Sequence, residues 1–130
     1  MYKILLIEDD STLRDTLAAI LKFEGYQLIE AGNGSIGLHL AQQEFPDLIV
    51  CDVELPDQNG LNILASLRQG AATINIPVIM LTGNVYEDTR LAAIELGVDA
   101  YLFKPCPIQR LLTAITQALS KCQKRSQLFI

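Results

Sequence analysis

The sequence predicts an α/β domain, a doubly wound parallel sheet sandwiched between helices, and three observations carry that expectation. Five short apolar runs recur along 130 residues, each is followed by a segment of helical period, and most junctions hold Gly, Pro, Asn or Asp. The runs are apolar throughout rather than alternating, as in strands covered on both faces. Parallel strands joined by helices require right-handed crossovers, and helices on both faces then make three layers.

The first strand is expected over residues 4–7. Ser11 or its neighbour can cap the next helix, whose Leu13, Leu17, Ile20 and Leu21 share one face and whose end suits Gly25. A short strand over 27–30 leads to the turn Gly32-Asn33-Gly34, and a helix carrying Ile36, Leu38, Leu40 and Ala41 stops at Phe45-Pro46. The third strand, 48–51, runs into Asp52. Beyond it the loop Pro56-Asp57-Gln58-Asn59-Gly60 introduces a helix with Leu61, Leu64 and Leu67 facing inward. Pro77 precedes a fourth strand over 78–81, and the helix after Thr82-Gly83-Asn84 holds Leu91, Ile94 and Leu96 before stopping at Gly97. The fifth strand, 101–103, ends at Lys104, and Pro107 suits the first position of a last helix. Its inward face reads Ile108, Leu111, Leu112, Ile115, Leu119, Cys122. Residues 1–120 are expected to form one domain. Residues 121–130, with Lys121, Lys124 and Arg125 followed by Leu128, Phe129 and Ile130, read as a helix end or a truncated linker.

Composition bounds the function. Half the residues are hydrophobic and mean hydropathy is +0.28, so a substantial core is expected. No stretch approaches the roughly 18 uninterrupted apolar residues of a membrane helix, and the start lacks a signal peptide's basic flank and cleavage site. A cytoplasmic location is expected. Cys51, Cys106 and Cys122 are odd in number and lack metal-ligand spacing, so they read as reduced thiols, with Cys51 in a buried strand. The net charge of −5 argues against direct nucleic-acid binding, which needs basic surface.

Glu8, Asp9, Asp52, Thr82 and Lys104 all fall where a strand stops. In a parallel sheet those stops share one edge, and ligands bind outside the carboxyl ends where strand order reverses. Three carboxylates, a hydroxyl and an ammonium gathered there suit a divalent cation and a phosphoryl group. Two carboxylates at about 4 Å repel by roughly 4 kcal/mol at an effective dielectric of 20, so such a pocket attracts a cation.

The segments Ile4-Leu5-Leu6-Ile7-Glu8-Asp9-Asp10, Cys51-Asp52, Leu55-Pro56-Asp57-Gln58-Asn59-Gly60, Leu81-Thr82-Gly83 and Phe103-Lys104-Pro105 appear in order. Together they resemble the receiver domain of bacterial two-component response regulators, over residues 2 to about 120. The resemblance implies a flavodoxin-like fold with strand order 2-1-3-4-5. It also implies a phosphorylation-dependent signalling switch that catalyses its own aspartyl phosphorylation and dephosphorylation rather than acting as an enzyme on other substrates. Asp52 is then the phosphoacceptor, and Mg²⁺ or Mn²⁺ is the cofactor, with Glu8, Asp9, Asp52 and the backbone carbonyl of Glu54 as its implied ligands. Thr82, Gly83 and Lys104 would bind the phosphoryl oxygens, Thr82 and Tyr101 would form the switch, and Glu54 and Asn84 would tune phosphoryl lifetime. The register leaves Asp10 outside the site, near a positive helix N-terminus. His39 reads as a surface residue. The Lys104–Pro105 bond is expected to be cis. Implied partners are a histidine kinase or histidine phosphotransfer protein and a downstream effector, with a homodimer through the face of the fourth helix, fifth strand and fifth helix. No nucleic acid or membrane is expected to bind through this domain.

Three other functions fit less well. A dehalogenase-type phosphohydrolase would place a second Asp where Glu54 stands and would add a cap domain. A flavodoxin-like electron carrier would not follow its first strand with acids, which repel a flavin phosphate. A receiver-like module without phosphorylation would have no need of all five site residues.

Overall fold

The computed structural model describes the backbone of residues 1–128 and the side chains of residues 1–122. Strands and helices alternate strictly: β1 (Lys3–Ile7), α1 (Ser11–Phe23), β2 (Gln27–Ala31), α2 (Gly34–Glu44), β3 (Leu48–Cys51), α3 (Gly60–Gln69), β4 (Val78–Thr82), α4 (Glu87–Glu95), β5 (Ala100–Phe103) and α5 (Ile108–Leu128). All strand pairings are parallel, and the sheet order is β2-β1-β3-β4-β5. This is the expected flavodoxin-like sandwich. Phe129 and Ile130 lie outside the described residues, as do the side chains of Lys124, Arg125 and Leu128.

Successive strand side chains point to opposite faces, and the core divides accordingly. Ile4 and Leu6 of β1 pack with Leu17 and Leu21 of α1 and Leu111 and Ile115 of α5. Leu5 and Ile7 pack on the other face with Ala41 of α2, Ile63, Leu64 and Leu67 of α3, and Ala93 of α4. Full burial of each large aliphatic side chain contributes about 1.5–3 kcal/mol, so both helical layers are held chiefly by apolar area.

Helix ends follow local chemistry. Asp10 caps α1 by accepting the Leu13 N–H at 3.1 Å, and Gly25 (φ 97°) takes the left-handed conformation just beyond it. Asn33 and Asn59 cap α2 and α3 in the same way, by accepting from Ile36 and Leu61. Gly97 (φ 84°) follows α4 as expected. Pro107 lies one residue ahead of α5, where its carbonyl accepts the N–H groups of Arg110 and Leu111.

In two helices small residues make the buried contact. In α2 the buried residues are Gly34, Gly37 and Ala41, whereas Ile36 is exposed. Gly37 sits so close to Ile7 that a Cβ there would stand 2.5 Å from its Cδ1. Contact by small residues brings the helix onto the strand. In α4 only Ala93 is buried, leaving Leu91 and Ile94 about half exposed, at 47% and 49%. In α5 the inward stripe centres on Leu111, Ile115, Ala118 and Leu119, with Ile108 at its exposed edge. Cys51 is buried in β3 and all three cysteines are free. Among the described residues no helix is long and apolar enough to cross a membrane.

Candidate metal centre

The sheet order reverses between β1 and β3, and that is where the acids gather. Ile7 pairs with Cys51, so Glu8 and Asp52 leave adjacent strands side by side. The Asp52 N–H donates to the Ile7 carbonyl at 3.2 Å, and the Glu8 N–H donates to Ala31 at 3.0 Å. One carboxylate oxygen from each of Glu8, Asp9 and Asp52 falls within 4.8 Å of the others, a spacing that fits a divalent cation. Glu8 and Asp52 are buried, at 2% and 6% exposure, while Asp9 is exposed.

Lys104 directly follows β5, two strand spacings from β3, a gap of about 10 Å that a long side chain must cross. Its Nζ donates to Asp52 Oδ2 at 2.7 Å and to Glu8 Oε1 at 2.5 Å. The Lys104 N–H bonds the Thr82 carbonyl, and the Lys104–Pro105 peptide is cis, as the sequence suggested. Burial acts to lower the lysine's pKa, but hydrogen bonds and charge from Asp52 and Glu8 outweigh it, so the ammonium is held above its ordinary value. Burial pushes the Glu8 carboxyl up, with Lys104 and the Asp10 N–H opposing. Burial, with the charges of Asp52 and Glu8 added, also pushes the Cys51 thiol up and keeps it protonated.

The β3–α3 loop is shaped around Asp52. The Glu54 N–H donates to Asp52 Oδ1 at 3.0 Å, fixing the carboxylate opposite Lys104, and the Glu54 side chain is exposed. Gly60 approaches so closely that a Cβ would collide with the Asp52 carbonyl oxygen and stand 2.8 Å from the Val53 Cα. Asp57 accepts the Gly34 and Ser35 N–H groups at 2.8 and 2.9 Å, tying the loop to the start of α2. Those bonds hold its pKa down at about 2. This loop is among the segments that carry the family resemblance, but no role for Asp57 follows from them, and its bond to the start of α2 has no local signature.

Thr82 ends β4 fully buried, and its Oγ1 accepts the Asn84 N–H at 3.1 Å. Half-buried Tyr101 donates its hydroxyl to the Asn84 carbonyl at 3.3 Å and packs edge-on against Phe103. One peptide segment thus links Thr82 to Tyr101. Gly83 is exposed and a Cβ there would meet nothing within 4 Å, so its position is open to an approaching group. Asp10 lies outside the acid cluster, capping α1, and His39 is exposed on α2.

Comparison with known proteins agrees with this geometry. The family model described as "Response regulator receiver domain" matches residues 4–116. The transcriptional regulatory protein CpxR of Escherichia coli K12 is 40% identical over 121 residues, which are 93% of this chain and 50% of CpxR. The DNA-binding dual master transcriptional regulator RpaA of Synechocystis is 33% identical over 127 residues, 98% of this chain and 53% of that protein. The chain spans about half the length of the curated relatives it matches. Among solved structures, a CheY-like receiver domain protein of Methanospirillum hungatei JF-1 superposes with a TM-score of 0.92 at 30% identity, covering 96% of this chain and 98% of that one. With the strand-end acids, the bridging lysine and the reversal point of the sheet in one place, and with the family match spanning nearly the whole fold, the chain belongs to the response regulator receiver domains.

Proposed function

We propose that Asp52 accepts a phosphoryl group with Mg²⁺ bound by Glu8, Asp9, Asp52 and the Glu54 backbone carbonyl, and that the modification changes the α4-β5-α5 face. The observation that carries this reading is the convergence of Glu8, Asp9, Asp52 and Lys104 from three strand ends into one pocket. Mg²⁺ favours oxygen ligands, carboxylates completed by waters and phosphate oxygens; the carboxylates of Glu8, Asp9 and Asp52 supply the protein's share, and Mn²⁺ fits the same set. When bound, the cation neutralises the carboxylates and the negative charge of the incoming group.

In the transfer step an Asp52 oxygen forms a bond to phosphorus while the bond from phosphorus to the donor's imidazole nitrogen breaks. The electron pair stays on that nitrogen, which takes a proton, and an aspartyl phosphate results. Little else is asked of the protein beyond alignment and stabilisation of the equatorial oxygens. Lys104 moves from the free carboxylates to one phosphoryl oxygen, and the Thr82 hydroxyl turns to donate to another. Gly83 leaves the approach clear. Hydrolysis uses the same groups: a water oxygen bonds to phosphorus as the Asp52 O–P bond breaks, releasing the carboxylate and inorganic phosphate, with the side chains of Glu54 and Asn84 flanking the water and setting the lifetime.

Phosphorylation adds about −1.5 to −2 charge and three acceptor oxygens. As Thr82 turns toward them it draws the Asn84 segment with it, and Tyr101, bonded to that segment, rotates into the vacated space, which reshapes the surface formed by α4, β5 and α5. A histidine kinase or histidine phosphotransfer protein is the donor, and an effector or a second copy of the domain reads the reshaped face. Exposed Val85, Tyr86, Leu91 and Ile94 at α4 and Phe103 of β5 support a docking role there. Residues 1–120 act as the receiver unit and residues 121–130 as helix end or linker.

The test is incubation with Mg²⁺ and acetyl phosphate followed by intact mass. One added phosphoryl group is expected, absent with a chelator and absent in Asp52→Asn; equal labelling of that variant contradicts the assignment.

A further inference from the structure

We propose that Arg14 of α1 is a positioning residue for the metal centre, setting the acidic pair through the Glu8 main-chain carbonyl; the inference rests on the metal-dependent reading above. Four contacts fix Glu8. Its N–H donates to Ala31, its Oε1 accepts from Lys104, its Oε2 accepts the Asp10 N–H at 3.1 Å, and its carbonyl accepts Arg14 Nη1 at 2.6 Å. The last is the only one of these made to the peptide that joins Glu8 to Asp9. That peptide is a rigid plane, so holding its oxygen fixes the direction in which the Asp9 backbone departs.

Asp9 needs such support. Among the described residues no side-chain hydrogen bond or ion pair holds its carboxylate, which nonetheless lies within ligand spacing of Glu8 and Asp52. Its placement therefore depends on its backbone. The guanidinium is itself seated: a Cβ at Gly32 would stand 3.1 Å from Nη1, and Glu30 Oε1 lies 3.9 Å from Nε. A planar fork with several donors suits this seat between the end of β2 and the acid loop better than an ammonium.

The sign of one measurement separates positioning from charge. Arg14 is a cation bonded to the main chain of the acid loop, so if it acts only by charge, removing it tightens Mg²⁺ binding. A group that positions the ligands weakens binding when removed, by about tenfold for partners one layer behind a metal. Calorimetric titration of the full chain with Mg²⁺, on variants verified as folded by circular dichroism, is expected to show Arg14→Met about tenfold weaker than the parent, with Arg14→Lys between them. Gly32→Ala, which crowds the guanidinium but leaves every charge in place, is expected to weaken binding several-fold. Parent-like or tighter binding by Arg14→Met, or parent-like binding by Gly32→Ala, overturns the role of Arg14 alone. A parent that binds no Mg²⁺ overturns the metal-dependent reading and this inference with it.

Discussion

Lys104 and Thr82 do different work although both stand at strand ends. Lys104 is already engaged with the two buried acids, so it competes with a cation for them, and in the proposed mechanism it passes to the phosphoryl group afterwards. Lys104→Met is therefore expected to bind Mg²⁺ more tightly than the parent while accepting phosphate about a hundredfold more slowly, the loss typical of removing one donor from a developing anion. Titration calorimetry and the initial rate of labelling check the two halves; unchanged rate contradicts the role. Thr82 is one bond removed from the chemistry, with its hydroxyl on the Asn84 N–H. Thr82→Ala is expected to accept phosphate yet to respond weakly in dimerisation or at the Tyr101 ring, observed by NMR of the labelled tyrosine. A full response in that variant contradicts the coupling. At this scale the sequence was highly informative about chemistry, because residue type and strand-end position together mark Glu8, Asp9, Asp52, Thr82 and Lys104. It gave no role to Arg14 or Asp57, whose partners are main-chain groups that residue type alone does not reveal.

The elements are held in place as much by small and polar residues as by the large apolar ones. The Asp57 carboxylate accepts two N–H groups at the start of α2, where a negative charge also meets the positive helix end. Its folded pKa of about 2 lies below the ordinary carboxylate value of about 3.9, so the bound carboxylate adds stability above that value. This contribution is lost as pH falls from about 4 toward 2. Asp57→Ala is expected to be less stable than the parent at neutral pH, with the gap closing across that window; a gap independent of pH, read by thermal unfolding, contradicts the assignment. Gly60 begins α3 against the Asp52 carbonyl, and Gly60→Ala is expected to cost about 1–3 kcal/mol in chemical denaturation, as other overpacked positions do. A parent-like midpoint there shows that the loop relaxes freely. The packing of α2 and α4 turns on small residues for a related reason. Hydrophobic period weighs large side chains, but Gly34, Gly37 and Ala41 carry the α2 contact through close approach, and Ala93 alone buries α4. Sequence also read β2 one residue short, since Ala31 joins the sheet by pairing with Ile7.

For the whole molecule, topology brings residues almost a hundred positions apart into one pocket. The order β2-β1-β3-β4-β5 makes β1 and β3 neighbours at the reversal point and sets β5 close enough for a lysine to reach across β4. Strict alternation of strands and helices, apolar strands and punctuation at their ends made that architecture legible. What composition and pattern do not encode is the surface that a partner reads. The half-exposed Leu91 and Ile94 become visible only once α4 is seen to bury a single alanine. The central claim is that this fold makes Asp52 a phosphoacceptor. The most direct test labels the protein with acetyl phosphate and Mg²⁺, reduces the acyl phosphate with borohydride, and locates the reduced residue by peptide mass spectrometry. The account requires homoserine at position 52 and nowhere else; reduction at Glu8 or Asp9, or no reduced residue in a labelled sample, contradicts it.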